Sequence, residues 1–285
     1  MLSLMGKVRV FRTRDLDLIK RAKAEAGKGL VIYDVGGEYN PGQNLYDHHQ
    51  KSFEEYRSDL VKYSSAGLIW KHFSGLILGS VGCPLNLIVE VAGMVDHDLV
   101  RGVDAKDNGQ TNSNVEMSVS EVISLLNPNW DEEAPDHDKA FLTAVKLAQE
   151  VLDAKIRSAI STAVAREKVE EMIASGSGEI LEMPSFVGGW VRHILTSPSS
   201  RAKQLLFCVF PNLNGNWNVQ AIPPSAEKPM GQRKALPEAW RGLFGEELAK
   251  VSGVETAVFC HANGHIAGAK TREDALKLAC LAVSL

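Results

Sequence analysis

Asp34 closes a short apolar run, Leu30-Val31-Ile32-Tyr33, and about a dozen residues later the chain reads Asp47-His48-His49. A carboxylate at the end of a strand and an Asp-His-His run put hard and borderline ligands into one stretch, the donor set that Mn²⁺, Mg²⁺ or Zn²⁺ takes. An Asp-His-His triplet alone also fits a solvated turn. The two elements together, in this order and at this spacing, point to a metal site. In an extended chain His48 and His49 face opposite ways, so one can hold a metal while the other faces a substrate. Asp47 is then either a ligand or an acceptor that fixes a histidine tautomer. Asp104 and Asp107 stand three residues apart and can face the same site from a helix end. Asp107 also suits a cap on the Asn108-Gly109 turn.

A second stretch, His261-Ala262-Asn263-Gly264-His265-Ile266-Ala267-Gly268, lies between an expected strand and an expected helix opening at Thr271. A helix start favours an anion, and two histidines with two glycines admit a phosphate closely, with Lys270 and Arg272 nearby. An ordinary strand-to-helix loop is the alternative. Two other acidic-histidine triplets read differently. Asp96-His97-Asp98 falls on the polar face of an amphipathic helix, and Asp136-His137-Asp138 belongs to an acidic connector.

These groups need elements to hold them. Lys7 to Thr13 alternates apolar and basic residues as a strand does, and a short helix follows from Asp15 to Ala26. The strand at Leu30 to Tyr33 ends at Gly36-Gly37. Ser64 to Phe73 reads as a capped apolar helix. Pro84 to Arg101 reads as a second helix, leading into Val103 to Gly109. Thr111 to Asn114 is polar loop, Val119 to Leu126 a short helix, and Asn127 to Asp138 a connector. Apolar residues at helical spacing from Lys139 to Ala174 predict one uninterrupted helix of about 50 Å. It is expected to stop at Gly176-Ser177-Gly178, where the domain boundary is placed. Beyond it come a strand at Glu179 to Met183, a helix at Gly189 to Leu195 and a hairpin of Gln204 to Phe210 with Trp217 to Ile222. A helix at Leu236 to Val251, a strand at Glu255 to Cys260, a loop at His261 to Lys270 and a helix at Thr271 to Val283 complete the chain. Alternating strands and helices of these lengths predict an α/β fold with a mostly parallel sheet.

The 285 residues, 45% hydrophobic and 23% charged, are those of a globular protein able to bury sizeable cores. A net charge of −4 argues against a generally basic nucleic-acid binder. It is unevenly spread, however: from Ile180 onward there are 11 Lys+Arg against 8 Asp+Glu, so that part carries +3 and the preceding part −7. An acidic part able to hold cations thus precedes a mildly basic part able to meet phosphate. The four cysteines form no Cys-x-x-Cys pair and read as reduced, mostly buried thiols. No stretch has the apolar length of a membrane span and the N-terminus lacks a secretory signal pattern, so no membrane partner is expected and cytoplasmic residence is the default.

At these residues the sequence resembles the DHH phosphoesterase superfamily, and within it the Myg family (melanocyte-proliferating-gene type). The segments that carry the resemblance are VRVFRTRD, YDVGGEYNPGQNLYDHHQKSFEE, SSAGLIWKHF, VDAKDNG, GQRKALPEAWRGL and FCHANGHIAGAKTREDALKLA. The resemblance implies a DHH-type metal-binding domain over residues 1–176 and a smaller α/β substrate-binding domain over 177–285. It implies two Mn²⁺ ions, with Mg²⁺ as the alternative. Asp34 matches the bridging metal carboxylate, Asp47 and His48 the Asp-His of the motif, and His49 the residue facing the substrate phosphate. Asp107 matches the later metal aspartate, with Asp104 second. His261, Gly264, His265 and Gly268 match the C-terminal glycine-histidine loop, although His265 stands where relatives often carry an aromatic residue.

The family opens with a His-Asn-Gly-x-Phe-His-x-Asp-Glu type motif that supplies further metal ligands, and no such motif occurs in this sequence. A site without those ligands is open on one side, and the expectation is that a longer protein carries them upstream. The function implied is metal-dependent hydrolysis of a phosphodiester, 3′–5′ exonuclease action on RNA. The alternatives are an impaired nucleotide- or nucleic-acid-binding protein on the same fold, or a small-molecule phosphoesterase.

Overall fold

Local capping chemistry sets the first helix. Asp15 accepts hydrogen bonds from the Asp17 and Leu18 amides and starts α1 (Leu16–Ala24), which buries Ile19. The computed structural model of the chain describes residues 9–25, 29–110 and 118–285. Contacts divide it into two compact units, Met1–Ile160 and Ser161–Leu285.

In the first unit three two-residue strands, β1 (Ile32–Tyr33), β2 (Tyr39–Asn40) and β3 (Leu45–Tyr46), form a sheet in the order β1-β3-β2. β3 lies parallel to β1 and antiparallel to β2. Leu45 and Tyr46 are buried on this middle strand, and Tyr46 packs with Phe53 and with Leu68 of α2 (Ser65–Ser80). The next helical segment is continuous but changes pitch. A 3₁₀ turn (Leu85–Leu87) leads into α3 (Ile88–Val95), a π-helical turn (Asp96–Val100) and α4 (Arg101–Asp107). α5 (Val119–Ser124) opens on a Ser118/Glu121 capping box.

α6 (His137–Ser175) runs for 39 residues and passes through the boundary between the two units. Its length follows the uninterrupted helical pattern of the sequence.

The second unit is built on a five-stranded sheet in the order β4-β5-β6-β8-β7. In chain order the elements are β4 (Ile180–Glu182), α7 (Trp190–Thr196), α8 (Ser200–Gln204), β5 (Phe207–Pro211), β6 (Trp217–Ala221), α9 (Gly245–Ser252), β7 (Ala257–Cys260), β8 (Ile266–Ala269) and α10 (Arg272–Ser284). Only β4/β5 is parallel; the other three pairs are antiparallel. Two cores use its strands. In one, Phe207, Val209 and Val219 pack with Ala275, Leu278, Ala279 and Ala282 of α10, whose small side chains permit a close approach. In the other, Cys208 and Phe210 meet Val169 and Ile173 of α6 with Trp190 and Ile194 of α7. Alternate residues of β5 thus serve opposite faces.

The fold is mixed α/β, with small sheets of mixed direction among the described residues. The β5/β6 hairpin and α6 fall where the sequence puts them. Arg9 to Thr13 forms no strand, while Lys7 and Val8 lie outside the described residues, as does Thr111 to Asn114. The helix expected at Leu236 to Val251 is a 3₁₀ turn (Glu238–Trp240) followed by α9, because Gly242 takes a positive φ between them and Gly245 opens α9 with another. Cys83, Cys208 and Cys260 are buried thiols and Cys280 is exposed. No helix among the described residues is long and apolar enough to cross a membrane.

The last carbonyls of α6 have no partners within the helix. Arg201 supplies them: its Nη1 donates to Met172 and Ile173 at 3.0 and 2.7 Å, and Nη2 donates to Ser177 and Ile180 at 3.2 and 2.9 Å. A Cβ at Gly176 would lie 2.6 Å from Nη2, so the guanidinium needs that glycine. Arg201→Met is expected to destabilise the second unit by about 2–3 kcal/mol, read from urea unfolding followed by tryptophan fluorescence.

Candidate metal centre

β1 runs out at Tyr33, and the Asp34 amide adds one more ladder bond to the Tyr46 carbonyl at 3.2 Å. Asp34 then turns into the left-handed region with φ 63°, a conformation that aspartate tolerates better than most residues. Its carboxylate is left exposed. Gly36 and Gly37 carry the turn at φ 101° and 62°. Lys23 holds it by donating from Nζ to the Gly36 carbonyl at 2.6 Å, and a Cβ at Gly36 would stand 2.9 Å from Lys23 Cε.

The Asp-His-His run leaves the end of β3. Asp47 is buried and accepts from the Gly37 amide at 2.6 Å through Oδ2. Its Oδ1 meets His49 Nδ1 at 2.6 Å and the His49 amide at 3.2 Å. Burial works against the charge, but these donors from Gly37 and His49 carry the Asp47 carboxyl below its ordinary range. Asp47 therefore ties the Gly37 loop to the His49 ring. His48 is buried and the His49 side chain is 59% exposed, but the two rings lie 4.2 Å apart at 33°, so they do not face opposite ways as an extended chain would place them.

His48 is held from both ends. Ser65 lies against Nδ1, with its amide and its Oγ both at 3.1 Å. The amide can only donate, so the neutral ring carries its proton on Nε2, which faces Asp107 Oδ2 at 3.0 Å. The bond to Asp107 raises the His48 pKa above its ordinary value despite the opposing effect of burial, and the same bond lowers that of Asp107.

One ligand atom from each of Asp34, His48 and His49 falls within 4.8 Å of the other two, the one such cluster of His, Cys, Asp and Glu among the described residues. A carboxylate and two imidazoles, with one ring anchored and the other two groups open to solvent, fit a divalent cation of the Mn²⁺ or Zn²⁺ kind.

Asp104 is placed differently. It is fully buried, and both of its oxygens are taken. Oδ1 accepts from Ser64 Oγ at 2.5 Å and the Gly67 amide at 3.0 Å, and Oδ2 pairs with Arg57. Arg57 also forks onto Asp96 at 3.0 and 2.7 Å and stacks on Tyr63 at 4.2 Å. Burial disfavours the Arg57 charge, but its bonds to Asp96 and Asp104 more than offset this and raise its pKa. Sequence reasoning missed this layer. Ser64 and Ser65 read as capping hydroxyls, yet they hold Asp104 and His48. Asp96 read as solvated, yet it faces Arg57 from 39 residues away.

His261, Gly264 and His265 lie at the turn of the β7/β8 hairpin, closed by the His261 amide to the Ile266 carbonyl at 2.9 Å. The stretch expected as a continuous loop to Lys270 therefore contains β8. Gly268 is a strand residue opposite Asn218 and Phe259, and a Cβ there would lie 2.8 Å from the Phe259 ring. The hairpin belongs to the second unit, and the Asp34–Asp107 cluster to the first.

A model of the family MYG1_exonuc, described as an uncharacterised protein family (UPF0160), matches residues 1–283. The chain belongs to this family. It is 34% identical over 295 residues to the protein named MYG1 exonuclease of Homo sapiens, covering 95% of this chain and 76% of that one. With the MYG1 exonuclease of Rattus norvegicus it shares 34% over 274 residues, 87% and 72% of the two chains. The MYG1 protein of Dictyostelium discoideum is 32% identical over 292 residues, 95% and 86%. In this member of the MYG1 family, the described part of that match takes in both the Asp34–Asp107 cluster and the β7/β8 hairpin.

Two outcomes follow from the geometry. An added Cβ at Gly67 would stand 1.9 Å from Asp104 Oδ2. Gly67→Ala is therefore expected to disrupt the buried pair and lower stability by roughly 3 kcal/mol, measured by chemical denaturation. In the metal-free protein, Asp107→Asn should lower the His48 pKa, read by NMR titration of the ring. The raised His48 contributes stability that is whole below the unfolded value of 6.5 and lost as pH rises through its folded pKa. The depressed Asp107 contributes stability that is whole above 3.8 and lost as pH falls through its folded pKa. Between those two values the pair should stabilise the first unit most, and the variant should flatten that window.

Proposed function

We propose that this chain is a metal-dependent phosphodiester hydrolase, a 3′–5′ exonuclease acting on RNA. The convergence of Asp34, His48 and His49 within 4.8 Å carries this reading. The relatives named MYG1 exonuclease support its nuclease class.

Asp34, His48, His49 and Asp107 would hold Mn²⁺, two ions being implied by the resemblance to DHH phosphoesterases; for His48 to ligate through Nε2 its proton would move to Nδ1, where the Ser65 hydroxyl can accept it. Bound there, such cations offset phosphate charge and lower the pKa of a bound water. The rest belongs to the chain. Asp47 accepts a hydrogen bond from His49 Nδ1 and leaves Nε2 free to ligate or, when protonated, to donate to a phosphate oxygen. Ser65 fixes the direction of the His48 ring. Asp107 is preferred to Asp104 as the carboxylate ligand because Arg57, Ser64 and Gly67 already occupy both Asp104 oxygens. Residues 1–176 form the DHH-type metal domain in this reading. Residues 177–285 form the substrate-binding domain, with His261, Gly264, His265 and Gly268 in its phosphate loop. The protein works in the cytoplasm.

The full chain incubated with 5′-labelled RNA and Mn²⁺ should give a ladder shortened from the 3′ end, and chelator should abolish it. Asp34→Ala and His48→Ala should reduce the rate to background with RNA binding retained. RNA bound but never shortened, or an unchanged rate in either variant, overturns the proposal. Parallel reactions with DNA and a small phosphodiester rank the substrate classes.

A further inference from the structure

The tip of the β7/β8 hairpin gathers three donor atoms that hydrogen bonding alone leaves mismatched. Asn263 Oδ1 lies 2.9 Å from His261 Nδ1, is also in contact with His265 Nδ1, and accepts the His265 amide at 3.1 Å. The Asn263 amide in turn points at His261 Nδ1 from 3.3 Å. His261 Nδ1 thus faces a hydrogen-bond donor and an acceptor at once. A proton there meets the Asn263 N–H, and a lone pair there meets Oδ1, so one of its two contacts is unfavourable in either tautomer. The two rings stand edge to face with centroids 4.5 Å apart, and both Nδ1 atoms face Asn263 Oδ1.

We infer that His261, Asn263 and His265 form a second metal site, selective for a divalent transition cation of the zinc class. Imidazole nitrogens bind such a cation at about 2.0–2.1 Å, which puts neighbouring ligand atoms roughly 3 Å apart. The spacing of His261 Nδ1 from Asn263 Oδ1 is of that size. A cation accepting lone pairs from both rings and the amide oxygen removes the repulsive contact. The hairpin is preorganised for it: the His261 amide donates to Ile266 and the Gly264 amide donates back to the His261 carbonyl at 2.8 Å. Gly264 turns at φ 71°, and a Cβ there would meet Arg241 Nε at 2.7 Å.

The class of metal follows from the donors. The site offers two neutral imidazoles and an amide, with no carboxylate, beside the Arg241 charge. Hard cations that depend on anionic oxygen gain little from it, whereas zinc, cobalt(II) and nickel bind imidazole well. Three protein ligands leave a position for water or an anion's oxygen, as in open zinc sites. The exposed Asp34 and Asp107 carboxylates of the first unit have the opposite preference. This inference rests on the hairpin alone and holds whether or not the chain hydrolyses RNA.

The test is titration of the full-length chain with Zn²⁺, and with Co²⁺ followed by its visible absorption. The Asp34→Ala/His48→Ala background removes the first site. One equivalent of Zn²⁺ should still bind there, and His265→Phe should weaken it by more than the roughly tenfold that losing an outer partner costs. Asn263→Ala should weaken it less, and Mg²⁺ should not compete. NMR of the imidazole nitrogens should show Zn²⁺ shifting Nδ1 of both histidines and leaving unchanged the buried His193, whose Nε2 lies 2.7 Å from the Thr162 carbonyl. Equal Zn²⁺ affinity with and without His265, in variants of unchanged melting temperature, would falsify the site. So would perturbation at Nε2 in place of Nδ1.

Discussion

A buried carboxylate with no free oxygen organises the first unit. Asp104 draws the Ser64 hydroxyl, the Gly67 amide and the Arg57 guanidinium onto one point. It thereby fixes the start of α2 against α4. Everything that orients His48 hangs from those two elements: Ser65 is the residue after Ser64, and Asp107 lies one turn beyond Asp104 on the same helix. Removing one partner of such a pair leaves an unpaired charge in the interior, which is why a buried pair of this kind acts as a positioning device whatever its net worth. Gly67 belongs to the same device, since the space a methyl group would fill is occupied by the carboxylate.

Around that anchor the polar groups divide into an inner and an outer layer. Asp47, His48 and Asp104 are buried and satisfied, while Asp34, His49 and Asp107 reach solvent. His48 reaches Ser65 at the start of α2 and His49 lies over Asp47, yet the two rings stay 4.2 Å apart, so the division is one of burial and not of opposite sides. Rigid inner groups with exposed outer ones make a centre whose donors are held in place before any ligand arrives.

Much of this was legible in the sequence, and the remainder follows a physical pattern. Strand β1, the Asp-His-His run, the β5/β6 hairpin and the length of α6 are local events, written in apolar spacing and turn residues. The Arg57–Asp96 fork and the Ser64–Asp104 bond join residues some forty positions apart and leave no local signature. Asp96 opens a π-helical turn where a regular helix was assumed, and its carboxylate pairs with Arg57. Strand β8 reads Ile-Ala-Gly-Ala, too small and glycine-bearing to look like a strand, yet the Phe259 ring requires the glycine. In each case tertiary packing overrode propensity.

The positive φ of Asp34 has a consequence for how the protein can vary. Few side chains accept that backbone conformation: glycine readily, and asparagine and aspartate better than the rest. Of these three only aspartate brings a charge. Glutamate carries the same carboxylate one methylene further out, but it gains none of the tolerance that the shorter side chain has for this turn. The backbone at position 34 therefore favours a short list of residues, and of the three named only aspartate sets a carboxylate near the His48 ring.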